Sequence, residues 1–153
     1  MKMVLGGYTF IYVGNLELKR DKNGDIIIDT PQVRYNNSRG IALHEYGCGG
    51  FCRFRLPNAT DVSGVYVWVV DGTPIYIGET RKLKTRFNNG YGRISPRNCF
   101  KGGQKTNCRM NKLAKDICHE KIIKIYFLQT NDYKKIEKEL IERCHPTYNV
   151  KGN

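Results

Sequence analysis

The run GVYVWVV at 64–70 is β-branched or aromatic at nearly every position, and PIYIG at 74–78 repeats the theme after the turn dipeptide Asp71-Gly72. This pattern predicts a hairpin of two buried strands, with Pro74 tolerated at a strand start because its missing N–H is no loss there. A third strand is predicted over KIIKIYFLQ at 121–129. Helical spacing appears three times. Leu83 and Phe87 lie between a capping Thr80 and a terminating Gly90. Met110, Leu113, Ala114 and Ile117 form a second stripe, and Ile136, Leu140, Ile141 and Cys144 a third, after a cap at Asn131 or Asp132.

Upstream, residues 8–29 read as a hairpin, YTFIYVGNLEL and IIID joined by RDKNGD with its Asn23-Gly24 turn signal. Residues 30–63 are rich in Asn, Gly, Ser and Pro, which predicts loop with one short strand near 51–56. The expected fold class is α+β, a small three-stranded antiparallel sheet flanked by helices over 61–153, preceded by a β-rich extension with an N-terminal β-hairpin over 1–60.

Strand parity decides whether the two tyrosines of the central hairpin meet. A two-residue loop at Asp71-Gly72, which the turn signal favours, places Tyr66 and Tyr76 on opposite faces. A three-residue loop through Thr73 places Tyr66, Trp68 and Tyr76 on one face, with Gly78 opposite Tyr66 and no side chain to cover its hydroxyl. A tyrosine in a strand is ordinarily a packed amphipathic side chain, so only the second arrangement makes the pair a candidate site.

Length and charge narrow the function. A chain of 153 residues fits one domain able to bury a core without disulfides. No apolar run approaches the roughly 20 residues that cross a bilayer. MKMVLGGYTF does not resemble a secretory signal, so a cytoplasmic chain with reduced cysteines is expected. The formal charge is +12, and eleven basic residues with no acidic one lie between Thr80 and Lys115. That concentration points to a polyanion, nucleic acid above all, rather than a small-molecule substrate or a membrane; the bland alternative is a solvated basic surface. The spacings His44-x3-Cys48-x3-Cys52 and Cys99-x8-Cys108 lack the tight C-x2-C of common zinc sites, so packed thiols are expected, with His119 and His145 at the surface.

GVY at 64–66, YIG at 76–78, Arg86 ten residues after Tyr76, and E-x-x-L-I-x(4)-P-x-Y-N over 137–149 together resemble the GIY-YIG nuclease superfamily, over about residues 64–149. The resemblance implies an endonuclease that hydrolyses a DNA phosphodiester with one magnesium or manganese ion per active site. It implies that Glu137 holds the metal, that Tyr66 is the general base, that Arg86 clamps phosphate and favours the ionised tyrosine, that Tyr76 positions water or phosphate, and that Asn149 supports the site. Glu137 precedes Asn149 by twelve residues, as in the repair-enzyme branch, and Glu139 and Glu142 do not fit that spacing. One departure stands out: where many relatives carry His or Tyr four residues after the arginine, this chain has Gly90, and Tyr91 follows as a candidate substitute.

The stretch GYGRISPRNCFKGGQKTNCR is glycine-rich and basic, which suits a loop gripping a nucleic-acid backbone. Arg93, Arg97, Lys101, Lys105 and Arg109 are its candidate contacts, together with Lys84. Double-stranded DNA is the expected partner, in a restriction, phage or mobile-element role, and homo-oligomerisation would decide between nicking and double-strand cutting. The rival expectation is a non-catalytic basic nucleic-acid-binding module; a zinc-stabilised RNA binder is a third.

Overall fold

The computed structural model describes residues 1–150. They form two compact units: one comprises Met1–Leu16, Leu56–Arg86 and the chain from Lys121 onward, the other Glu17–Arg55 and Phe87–Glu120.

The first unit is built on one five-stranded antiparallel sheet of β1 (Lys2–Leu5), β2 (Tyr8–Asn15), β5 (Gly64–Val70), β6 (Thr73–Thr80) and β7 (Lys124–Gln129). Their order across the sheet is β1-β2-β7-β5-β6. This corrects the expected three-stranded sheet with a separate N-terminal hairpin. β2 pairs directly with β7, Ile11 opposite Phe127 and Tyr12 opposite Tyr126, so the N-terminal strands extend the sheet. The hairpin itself is also different. It joins β1 to β2 through Gly6 and Gly7, both at positive φ, as a two-residue turn requires. With β1 and β7 on its two edges, β2 has no free edge for residues 26–29. The Asn23-Gly24 turn does form, but its flanks pair only at the bridge between Arg20 and Ile26.

Helix α3 (Tyr133–Cys144) covers one face of this sheet. Its Ile136 and Leu140 pack with Phe10, Val65, Val67, Val69, Ile77 and Tyr126, all buried. The short helix α1 (Leu83–Thr85) runs on into a wider turn over Arg86–Tyr91.

The second unit contains the two-stranded ribbon of β3 (Glu17–Leu18) and β4 (Phe54–Arg55), and helix α2 (Lys105–Ile117). Its core includes Phe51, Ile94, Cys99, Phe100 and Cys108. The basic stretch after Tyr91 is therefore anchored by four of its own side chains, Ile94, Cys99, Phe100 and Cys108, and by a 3-10 turn over Pro96–Cys99. Buried Asn111 acts as a peptide surrogate here. Its amide donates to the carbonyls of Cys52 and Tyr91 at 2.8 Å each, and its oxygen accepts from the Cys52 N–H at 3.0 Å. Among the described residues, no helix is long and apolar enough to cross a membrane.

Candidate active site

The central hairpin resolves the parity question by a route the sequence pattern does not announce. Its loop has two residues, Asp71 and Gly72, both at positive φ, with Val70 opposite Thr73. A bulge then inserts Ile75 into β6, so that Val69 faces Pro74 but Trp68 faces Tyr76. One extra residue flips every later side chain of β6 to the other face. Tyr66, Trp68 and Tyr76 thereby share a face, with ring centroids 6.4 Å apart for Tyr66–Tyr76 and 6.0 Å for Trp68–Tyr76.

Gly78 lies directly opposite Tyr66. A Cβ built on Gly78 would collide with the Tyr66 hydroxyl and the adjoining ring carbons, so the glycine is the seat on which the phenol ring lies. Both tyrosines are buried, Tyr66 with 1% and Tyr76 with 6% of its surface exposed.

The other face supplies a second set. Alternation places Glu79 on the same side as Ile77, the side that α3 covers. From α3, Glu137 reaches the end of β6, where its carboxylate accepts a hydrogen bond from the Glu79 backbone. Burial, then repulsion from the Glu79 carboxylate, push the Glu137 carboxyl up to about 7, against the pull of that hydrogen bond and of the Arg86 guanidinium. Glu139 is engaged elsewhere, accepting from the Tyr8 hydroxyl at 3.0 Å and pairing with Arg143 at 3.4 Å. Glu137 and Glu79 line a cavity of about 820 Å3 together with Glu142, His145, Asn149 and Lys134 among others.

Asn149 secures the outer edge of β6. Its amide nitrogen donates to the Ile77 carbonyl at 2.8 Å, and its amide oxygen accepts from the Ile77 N–H at 2.9 Å. The neighbouring Tyr148 N–H donates to the Ile75 carbonyl at 2.9 Å. Asn149→Ala should cost about 1–2 kcal/mol, the value of two hydrogen bonds on a partly buried edge. It should also accelerate amide exchange at Ile77; unchanged exchange there would remove this role.

The structure thus gathers the expected residues into two groups meeting β6 from opposite faces, Tyr66 and Tyr76 on one, Glu137 on the other, with Arg86 in electrostatic reach of Glu137. Each group meets β6 at a neighbouring position, Tyr66 at Gly78 and Glu137 at Glu79, and the strand lies between them. Glu79 is the member that sequence reasoning missed. The period-two alternation from Ile77 was the available signal, but using it required knowing which face α3 covers.

Tyr91 lies outside the unit that holds these two groups. It belongs to the second unit's interior, 1% exposed, with its ring edge-on to Phe87 at 5.7 Å. Of the expected nucleic-acid contacts, Lys84, Arg93, Arg97, Lys101 and Lys105 are exposed and Arg109 is half-buried. Arg97 braces its own loop by donating to the Lys101 carbonyl at 3.2 Å, and Lys105 pairs with Glu45 at 3.2 Å. His44 and Cys52 are occupied within the fold. The His44 Nδ1 accepts from the Tyr46 N–H, Nε2 meets the Asn98 carbonyl, and the Cys52 thiol, pushed up to about 12 by burial, lies against Asn111.

Among the described residues, no three or more His, Cys, Asp or Glu converge as metal ligands. The donor set at β6 is instead two carboxylates, hard oxygen ligands that suit a divalent ion retaining most of its water. No family model, curated protein or solved structure matches this chain.

Proposed function

We propose that this protein is a divalent-metal-dependent DNA endonuclease of the GIY-YIG type, acting in the cytoplasm on double-stranded DNA in a restriction, phage or mobile-element setting. The observation that carries the reading is the position of Glu137: a half-buried carboxylate beside Glu79 and Arg86, opening into a cavity that Asn149 also lines. A half-buried carboxyl pushed up by a second one beside a cavity marks a candidate functional site.

Glu137 and Glu79 would hold magnesium or manganese, which when bound supplies Lewis-acid stabilisation of charge on the scissile phosphate and its leaving oxygen. Arg86 offers a planar fork for the non-bridging phosphate oxygens and offsets the local negative charge. Tyr66, its ring resting on Gly78, would in its ionised form take the proton of the attacking water, with Tyr76 beside it as a positioning group. Asn149 keeps the β6 edge straight beneath them.

A rival reading, a non-catalytic nucleic-acid-binding module, draws support from the burial of Tyr66 and Tyr76, since a general base must meet water. One experiment separates the two. Purified protein incubated with long mixed-sequence DNA should cut it with magnesium and leave it intact with EDTA. Salt-sensitive binding without cleavage in either magnesium or manganese would overturn the nuclease in favour of the module.

A further inference from the structure

The second unit carries a groove that, of the expected contact residues, only Arg93 touches. It has a volume of about 350 Å3 and is lined by the β3–β4 ribbon and its flanks, Glu17 to Lys19 and Arg53 to Arg55, and by Asn88, Gly92 and Arg93. Its construction is local. Leu18 pairs with Phe54 and Glu17 with Arg55, while the Lys19 N–H donates to the Arg53 carbonyl at 2.8 Å. The Phe54 N–H donates to the Gly92 carbonyl at 3.0 Å and so ties the ribbon to the loop that carries Arg93. A Cβ on Gly92 would strike the Phe54 and Phe87 carbonyls, so this close approach requires glycine.

The groove presents four cations, Lys19, Arg53, Arg55 and Arg93, against the single carboxylate of Glu17. Arg53 is held in place by Asp29 at 3.2 Å, while Lys19, Arg55 and Arg93 are exposed. Cations spread along a groove on an already basic chain raise one another's cost unless a ligand of repeated negative charge lies among them. A single phosphate would call for converging, buried donors; an extended anion matches exposed cations on two elements. The apolar Leu18 and Phe54 beneath suit the sugar edge of such a ligand.

We propose that this groove binds the phosphodiester backbone of a nucleic acid strand, as a positioning site distinct from the Glu137 cavity. The inference does not depend on hydrolysis, and its test is run in EDTA so that it stands or falls apart from the nuclease reading. Fluorescence anisotropy would follow binding of a labelled DNA duplex across a salt series for the wild type, for Arg55→Ala/Arg93→Ala, and for Lys2→Ala/Lys22→Ala, which removes equal charge elsewhere. Lys19→Glu is a second groove variant, and thermal melts check that each is folded.

At about 0.1 M salt, Arg55→Ala/Arg93→Ala should bind at least about tenfold more weakly, and its log–log salt slope should fall by about 2, one phosphate contact for each cation. Lys19→Glu should weaken binding in the same sense, and Lys2→Ala/Lys22→Ala should bind nearly as the wild type does. Equal losses in the groove and control variants would mean that net charge alone attracts DNA and would overturn the site. So would an unchanged slope in the groove variants, or competition by millimolar inorganic phosphate with a slope near 1, which would mark a small-anion pocket instead.

Discussion

Glu137→Gln should slow magnesium-dependent DNA cleavage by about 100- to 1000-fold, the scale of losing one charge-stabilising group from an active site, and leave the protein more stable than the wild type above neutral pH. The two effects have one cause. The Glu137 carboxyl is pushed from 4.5 up to about 7 by burial and the neighbouring Glu79. A folded-state value above the unfolded one means that the native protein holds this proton more tightly. The associated stability is complete below the unfolded value near 4.5 and is lost as pH rises through about 7. Glutamine does not titrate, so its advantage should open between those limits and be greatest in alkaline buffer.

Melting temperatures of both proteins at acid and alkaline pH, paired with a plasmid cleavage rate, make the check. A variant less stable than the wild type in alkaline buffer would mark Glu137 as a structural residue and remove it from the site. Metal affinity should follow the same titration. An ion must displace the proton, so apparent magnesium affinity should fall about tenfold per pH unit below the carboxyl's value.

Gly78→Ala should be the most damaging small substitution in the hairpin. The added methyl would fall on the Tyr66 hydroxyl and ring, and that ring is 1% exposed with Trp68, 0% exposed, two residues along the same strand face. Overpacking of this kind costs about 1–3 kcal/mol, and more where the ring cannot swing aside. Urea unfolding would measure it. The diagnostic is a double-mutant cycle: in a Tyr66→Ala background the same methyl enters vacated space, so the two costs should be non-additive by about 1 kcal/mol or more. Strict additivity would show that Gly78 is required for its backbone rather than as a seat for Tyr66.

Both predictions turn on features read with unequal ease. The tyrosine-glycine pairs, the spacing from Tyr76 to Arg86 and that from Glu137 to Asn149 are contiguous in sequence and visible there. The shared face of Tyr66 and Tyr76 was legible only as a condition. The turn dipeptide Asp71-Gly72 argued against it, and the bulge at Ile75 restored it, because a bulge leaves no local signature in a run as uniformly apolar as PIYIG. Glu79 was invisible for a related reason. Its partner lies in α3, some sixty positions away, and strand alternation gives a residue's face without saying what covers it.

The sequence by itself determined the hairpin, α2, α3, the third strand of the core and the concentration of positive charge, since each follows from periodicity or composition within one stretch of chain. Tertiary structure decided the rest. It made the sheet five-stranded, because pairing of β2 with β7 joins positions more than a hundred residues apart and no local pattern encodes a partner. It buried Tyr91 with its ring edge-on to Phe87, four positions earlier in the chain. It also set Glu137 against Glu79, a juxtaposition of like charges that only the packing of a helix on a particular sheet face can impose.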